Sequence, residues 1–290
     1  MKPPVFQYHD PRTLREALEL LRSYGGEAKV LAGGQSLVPL LNLRLVRPKA
    51  LVDINRIGEL DYIEEEDGWV RIGAVARQRT AERSDLVRSR VPLLAQALRW
   101  VGHPPIRNRG TVCGSLAHAD PAAELGAVAA ALDARFVIQN LDHQRVVGPE
   151  AFFVTYLTTC LEPDEILVEV RFPTSRPGWS WAFEEVSVRH GDYALAAVAA
   201  GVRLEDGRVV DARLAYAGMG PVPVRLQEAE AALLAASSFE GGLKAAAEEA
   251  MGRLQPDGDL HASSEFRRHL AAALTRRALR RAYAAMGGVR

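Results

Sequence analysis

Residues 28–36 read AKVLAGGQS: a short apolar run that ends in two glycines, an amide and a hydroxyl. The run has the length and content of a buried strand. Glycine has no Cβ, so Gly33 and Gly34 can turn several backbone N–H groups into one concavity and let a ligand approach the main chain. Ser36 adds a hydroxyl, and Leu37 to Leu45 reads as a helix despite Pro39. Such a strand–loop–helix is a diphosphate cradle in principle. Taken alone, a tight turn between strand and helix explains it at least as well. The GxGxxG spacing of a dinucleotide fold and the Gly-Lys-Ser/Thr of a phosphate-binding P-loop are both missing.

Upstream, Leu14, Ala17, Leu18 and Leu21 recur on one helical face, with Asp10 as a cap, Pro11 in the first turn and Gly25-Gly26 as the stop. Downstream, Ala50 to Ile54 is a second strand. Residues 1–55 thus form a helix–strand–loop–helix–strand unit. A hairpin is expected over 61–74, then one long helix from Ala81 to Val101 broken near Pro92. Gly102 to His118 is expected as loop, and Asp120-Pro121 restarts a helix. Strands follow at 136–138, 146–147 and 165–172. The character changes at Pro173 to Gly178. Beyond it come alternating strands, Trp179 to Val188, Ala194 to Leu204 and Val209 to Ala217, with Asp206-Gly207 as a hairpin turn. Helices at 226–236, 242–254 and 264–286 complete the chain, with a domain boundary near 176.

The 290 residues call for two or three lobes. Lys plus Arg and Asp plus Glu balance at 36 each, which argues against a nucleic-acid or membrane-surface binder. The arginines of the last helix (267, 268, 276, 277, 280 and 281) lie opposite Phe266, Leu270, Leu274 and Tyr283, as on a solvated amphipathic helix. Two separated cysteines, Cys113 and Cys160, cannot hold an iron–sulfur cluster or a cysteine-type zinc by themselves, and they suit a reducing cytoplasm. No leader-type apolar segment opens the chain, and no run approaches the ~18 apolar residues of a membrane span.

A second loop, Thr111-Val112-Cys113-Gly114-Ser115, repeats the logic of the first, with a glycine flanked by hydroxyls. Two such loops from different lobes would grip a long dinucleotide from two sides. Neutral backbone donors would let a chain without net positive charge bind an anionic cofactor.

Four stretches now resemble one family: LAGGQSLVPLLNLRL at 31–45, IRNRGTVCGSLAHADPAAEL at 106–125, FFVTYLTTCLEPDEILVEVRFP at 152–173 and SVRHGDYAL at 187–195. They are similar to the FAD-binding medium subunit of bacterial molybdenum hydroxylases, such as aerobic carbon monoxide dehydrogenase, whose FAD module is shared with xanthine dehydrogenase. The resemblance implies an α+β fold. An FAD-binding domain of the vanillyl-alcohol oxidase type would span 1–176, in two α/β subdomains of about 1–55 and 56–176. A C-terminal domain, 177–290, would carry a three-stranded antiparallel sheet and helices. It implies FAD as cofactor, with Ala32, Gly33, Gly34, Gln35 and Ser36 around the diphosphate, Lys29 and Leu37 flanking, and Thr111, Gly114 and Ser115 in the second loop. Asp120 and Glu124 match positions where a carboxylate accepts from ribose or ribityl hydroxyls. Asp120 reads equally as a helix cap, and an acid at Glu124 is also favoured by the helix dipole. Leu167 matches an apolar position near the flavin ring, Val101 one near the adenine, and Tyr193 an aromatic near the isoalloxazine face, against the plainer reading of a core tyrosine. Arg189 and Asp192 are expected to pair.

Two departures stand out. Cys113 replaces a glycine usual in the family, which would change the loop and place a thiol near the cofactor. Glu184 and Glu185 stand where a lysine is common. The implied role is electron transfer, with no general acid, base, nucleophile or metal site in this chain. Substrate would be oxidised at a molybdenum–pterin centre on a large subunit, and electrons would pass through two [2Fe–2S] clusters on a small subunit to FAD and on to quinone, NAD⁺ or another acceptor. The implied assembly is a cytoplasmic dimer of heterotrimers. The rivals are a self-contained FAD oxidase or reductase, for which His190 is the best acid–base candidate, and a scaffold that has lost its cofactor.

Overall fold

The structure, a computed structural model, describes residues 2–287; residues 288–290 of the expected C-terminal domain lie outside the described residues. The first unit runs β1 (Gln7–His9), α1 (Leu14–Tyr24), β2 (Ala28–Leu31), α2 (Leu37–Asn42) and β3 (Ala50–Asp53), with the strands parallel in the order β1-β3-β2. β1 was not foreseen, because three residues with no apolar repeat give no pattern. α1 is capped by Thr13, whose hydroxyl accepts from the Glu16 N–H, and not by Asp10, which pairs with Arg56 at 2.8 Å. Gly25 ends it in the left-handed region.

The second unit opens with the hairpin β4 (Ile63–Glu66) and β5 (Trp69–Gly73). The long helix expected over 81–101 is three short ones: α3 (Gln78–Arg83), α4 (Asp85–Arg90) and α5 (Pro92–Ala97). Ser84 leaves helical geometry at ψ 124° and its hydroxyl caps α4, accepting from the Val87 N–H. Val91, at φ −134° and ψ 62°, leaves helical geometry before Pro92. The loop expected over 102–118 holds two helices, α6 (Pro104–Arg109) and α7 (Val112–His118). The prolines of 104–105 start a helix here, where their missing N–H groups cost nothing. Asp120 caps no helix: its carboxylate accepts from the Ala122 N–H in a local turn, and α8 (Glu124–Ala131) begins later.

Then come β6 (Arg135–Gln139), β7 (Gln144–Val147), α9 (Pro149–Phe152), the small hairpin β8 (Phe153–Thr155) and β9 (Thr158–Thr159), and β10 (Ile166–Pro173). The five-stranded antiparallel sheet has the order β4-β5-β10-β6-β7. The third unit has three long antiparallel strands, β11 (Trp179–Ser187), β12 (Ala194–Glu205) and β13 (Arg208–Ala217), extended by the two-residue β14 (Val224–Arg225). The helices α10 (Gln227–Ala235), α11 (Phe239–Arg253) and α12 (Ser264–Ala284) follow.

This last sheet has two buried faces. Phe183, Ala197, Ala199, Ala215 and Ala217 join the core of the first two units, whereas Ala182, Val198, Ala200, Leu214 and Tyr216 join a second core under α10–α12. The period-2 alternation of strand side chains makes this division. It also separates neighbouring acids: Glu184 faces the helix side, where Arg277 and Arg281 of α12 pair with it, and Glu185 faces the other. Between the lobes lies α8, every residue of which is buried, packed against α5, β12 and β13. It approaches so closely that a Cβ on Gly126 would come within 2.6 Å of Pro223. The arginines of α12 are partly absorbed into this architecture. Arg267 donates to the Leu195 carbonyl and to Asp259, and Arg280 pairs with Glu240. Among the described residues no helix is long and apolar enough to cross a membrane.

Candidate functional site

The two loops meet. β2 delivers Ala32 to Ser36, and the turn after α6 delivers Thr111 and the start of α7. Gly33 is where they touch. A Cβ there would sit 2.5 Å from the Arg109 carbonyl oxygen and 2.6 Å from the Gly110 Cα, so only glycine allows the approach. Gly34 supplies the left-handed turn at φ 73°. Among the described residues, the N–H groups of 33–36 donate to no protein acceptor. Gln35 turns back, its side-chain amide donating to the Gly33 carbonyl at 3.2 Å.

A polar bridge holds the contact. The Asn55 amide donates to the Ala32 carbonyl at 2.7 Å, and Arg77 donates to Asn55 Oδ1 at 2.7 Å and to the Arg109 carbonyl at 2.6 Å. Burial and the neighbouring Arg109 lower the Arg77 pKa. On the second loop, Thr111 caps α7, its hydroxyl accepting from the Gly114 N–H at 2.9 Å. A Cβ on Gly114 would stand 3.6 Å from that of Ala32. Ser115 is half-buried beside it. Asn55, Arg77 and Arg109 were missed from sequence, because a lone Asn after a strand and scattered arginines carry no spacing signal.

Cys113 does not enter the loop face. It is a helical residue with its thiol buried, donating to the Ile72 carbonyl of β5, and burial pushes its pKa up. The expected disturbance of the loop by this residue is therefore absent: a helical position needs no positive φ. Cys113 and Cys160 are both unpaired thiols.

Tyr193 stands at the rim, 56% exposed, and is not a core tyrosine. Its hydroxyl lies beside Ser36 and Asp120, and is pushed up to about 12 by burial of that end and by the Asp120 charge. Arg189 and Asp192 pair just ahead of it at 3.1 Å. Glu124, at the head of α8, is 5% exposed, and burial pushes it up to about 7. The structure thus brings Ala32–Ser36, Thr111–Ser115, Asp120, Glu124 and Tyr193 together. Leu37 follows as the first residue of α2. Leu167 is a core residue beside a bulge in β10, the strand that α7 packs against. Lys29 is exposed on β2, and Val101 is buried with its carbonyl accepting from Arg107; among the described residues neither side chain hydrogen-bonds to the loops. His190 lies in an exposed turn near His103 and Trp100.

Glu185 is the residue that sequence reasoning left without a role. It is 3% exposed, and neither carboxyl oxygen has a hydrogen-bond partner among the described residues. Burial, and then Glu124, push it up to about 9.

Comparison with known proteins fits this geometry. Residues 4–175 match the family model described as the FAD binding domain in molybdopterin dehydrogenase, and 181–282 match the CO dehydrogenase flavoprotein C-terminal domain. The chain is 41% identical to the alpha subunit of the 6-hydroxypseudooxynicotine dehydrogenase complex of Paenarthrobacter nicotinovorans, over 97% of this chain and 96% of that protein. It is 37% identical to the carbon monoxide dehydrogenase medium chain of Hydrogenophaga pseudoflava, over 98% and 99%. A solved carbon monoxide dehydrogenase structure from Hydrogenophaga pseudoflava superposes with a TM-score of 0.95 at 39% identity, over 98% of this chain and 99% of that one. With both halves matched in order and nearly the full length covered, the chain belongs to the family of FAD-binding medium subunits of molybdenum hydroxylases.

Proposed function

We propose that this chain holds FAD across the contact of its two loops and serves as the electron-transfer subunit of a molybdenum hydroxylase. A small subunit with [2Fe–2S] clusters delivers electrons to it, a large subunit with the molybdenum–pterin centre oxidises the substrate, and the complex is a dimer of heterotrimers in the cytoplasm. The observation that carries the reading is the cradle itself: four free N–H groups at 33–36, pressed against the second loop at a point where a Cβ would not fit. A diphosphate needs convergent neutral donors in a chain without net charge, and this loop presents them. The residues therefore fit the cofactor.

In this reading Ala32 to Ser36 with Thr111, Gly114 and Ser115 bind the diphosphate, and Lys29 and Leu37 flank it. Asp120 and Glu124 accept from the sugar or ribityl hydroxyls. Leu167 backs the ring, Val101 the adenine, and Tyr193 covers one face of the flavin. FAD, when bound, supplies the redox chemistry. The protein orients it, excludes water through Tyr193, and sets the charge around it. Purification of the full chain with its neighbours tests the assembly: two co-purifying subunits, one rich in cysteine, are expected, together with a flavin absorption spectrum. A colourless chain that takes up no added FAD would overturn the reading.

A further inference from the structure

Donors and acceptors are divided unevenly where the two loops touch. Each carbonyl at the contact has a donor. Ala32 accepts from Asn55 at 2.7 Å, Gly33 from Gln35 at 3.2 Å and Gly34 from the Val38 N–H at 3.0 Å. On the second loop Arg109 accepts from the Arg77 guanidinium at 2.6 Å, Gly110 from the Gln78 N–H at 2.8 Å and Thr111 from the Ser115 N–H at 3.2 Å. The N–H groups show the reverse. Those of Gly33 and Thr111 donate to no protein acceptor among the described residues, and Thr111 is 2% exposed. A buried N–H requires an acceptor, and here the bound molecule has to bring it.

Two adjacent residues make this division. Arg77 and Thr111 face each other in a lone antiparallel bridge, closed by the Gln78 N–H on Gly110 and by the Val112 N–H on the Ala76 carbonyl at 3.3 Å. In that pairing the Thr111 N–H turns away from residue 77. Gln78 fills the back of the loop. It is 4% exposed, its Nε2 donates to the Thr111 carbonyl at 3.4 Å, and a Cβ on Gly110 would stand 2.6 Å from its Oε1. Arg77 reaches the first loop as well. It donates to Asn55 Oδ1 at 2.7 Å, and Asn55 Nδ2, which also donates to Asp53, donates to the Ala32 carbonyl. The peptide that carries this carbonyl carries the Gly33 N–H at its other end. Guanidinium, amide and peptide stand in series, and each bond polarises the next. The Gln78 N–H, the Gly110 carbonyl and the Thr111 N–H form a second, shorter series.

We propose that Arg77 and Gln78 are positioning residues for the cofactor's diphosphate: from behind the loops, without touching it, they hold the carbonyls back and leave the Gly33 and Thr111 N–H groups for its oxygens. This rests on the flavoprotein reading above and adds to it the source of the site's polarity. A peptide offers either its N–H or its carbonyl to one side, and an anion is repelled by the second. One guanidinium acts on both loops at once. Its removal is therefore felt at the phosphates and not at the flavin ring.

The test titrates the full chain, stripped of cofactor, with FAD and with riboflavin, which has the ring and ribityl chain but no phosphate. The proteins are wild type, R77M, R77K, N55A and the double variant N55A/R77M. R77M is expected to weaken FAD about tenfold or more and to leave riboflavin within about twofold. R77K keeps the charge but loses the planar fork that spans Asn55 and Arg109, and should fall between. N55A acts through the same series, so the double variant should be no weaker than R77M alone. At saturating FAD, the phosphorus NMR resonances of the bound diphosphate should move in R77M and N55A, while the visible band of the flavin keeps its position. Where R77M does not fold, R77K and N55A carry the same readouts. Equal losses for FAD and riboflavin, additive losses in the double variant, or unmoved phosphorus resonances would overturn this proposal alone. A wild-type chain that binds no FAD would overturn the parent reading with it.

Discussion

Gly33 and Glu185 show how differently single residues disclose themselves. Gly33 was legible as a glycine that some loop needs, but for a different reason. Its neighbour Gly34 takes the positive φ, and Gly33 is required by the Arg109 main chain lying against it. Gly33→Ala is expected to push the loops apart at a cost of about 1–3 kcal/mol and to weaken FAD binding at least tenfold, read by thermal melting and by titration with FAD. Glu185 could not be read as an orphan, because its burial is made by a lobe distant in sequence. Adjacent strand residues point to opposite faces, so the pair Glu184-Glu185 did carry one legible consequence: one acid had to enter each core. The unusual carboxyl has a pH signature. Unfolded, Glu185 would lose its proton near the ordinary value of about 4.3; folded, it holds it up to about 9. Between those values the unfolded chain binds fewer protons, so stability falls as pH rises. Melting temperature should drop from pH 5 to pH 8, and Glu185→Gln should flatten that drop and recover about 1–3 kcal/mol at pH 8.

At the scale of elements, the long apolar strands and the amphipathic helix α1 were legible, because each carries its own period; α11 and α12 were legible as helices, but the face expected for α12 was not, since Arg267 is buried and Phe266 exposed. The stretch from Gln78 to His118 was not. Proline and glycine punctuate a chain without saying whether a helix is ending or starting there, and five helices of six or seven residues leave too few turns for a periodic signal. The site depends on this poorly legible stretch. Thr111 belongs to it twice, as a loop residue and as the cap of α7. Thr111→Ala should cost about 1 kcal/mol through the lost cap, and should also release the Gly114 N–H from its internal acceptor. Thr111→Ser keeps the oxygen and should restore most of the loss in a chemical denaturation series.

For the whole molecule, the resemblance in four motifs was enough to place the family, since those motifs run from 31 to 195 in one order. What no motif carried was how the lobes hold each other. The near face of the C-terminal sheet belongs to the core of the FAD lobe, and α8 is buried on all sides between them. Calorimetry of the full chain should therefore show one transition and not two, with the calorimetric and van't Hoff enthalpies close to equal. Two resolved transitions would contradict this.

The helix α8 has one more consequence, for anyone who wishes to divide the chain. The Pro/Gly stretch at 173–178 looks like a place to cut. A fragment ending there would keep α8 but lose β12 and β13, and would turn the flank of α8 that packs on them, with Gly126 against Pro223, toward water as a sticky face. The complementary fragment would show an alanine-lined sheet face with nothing against it. Each half is the other's missing surface, so separately expressed halves should aggregate when made alone and recover a soluble, FAD-competent complex when made together.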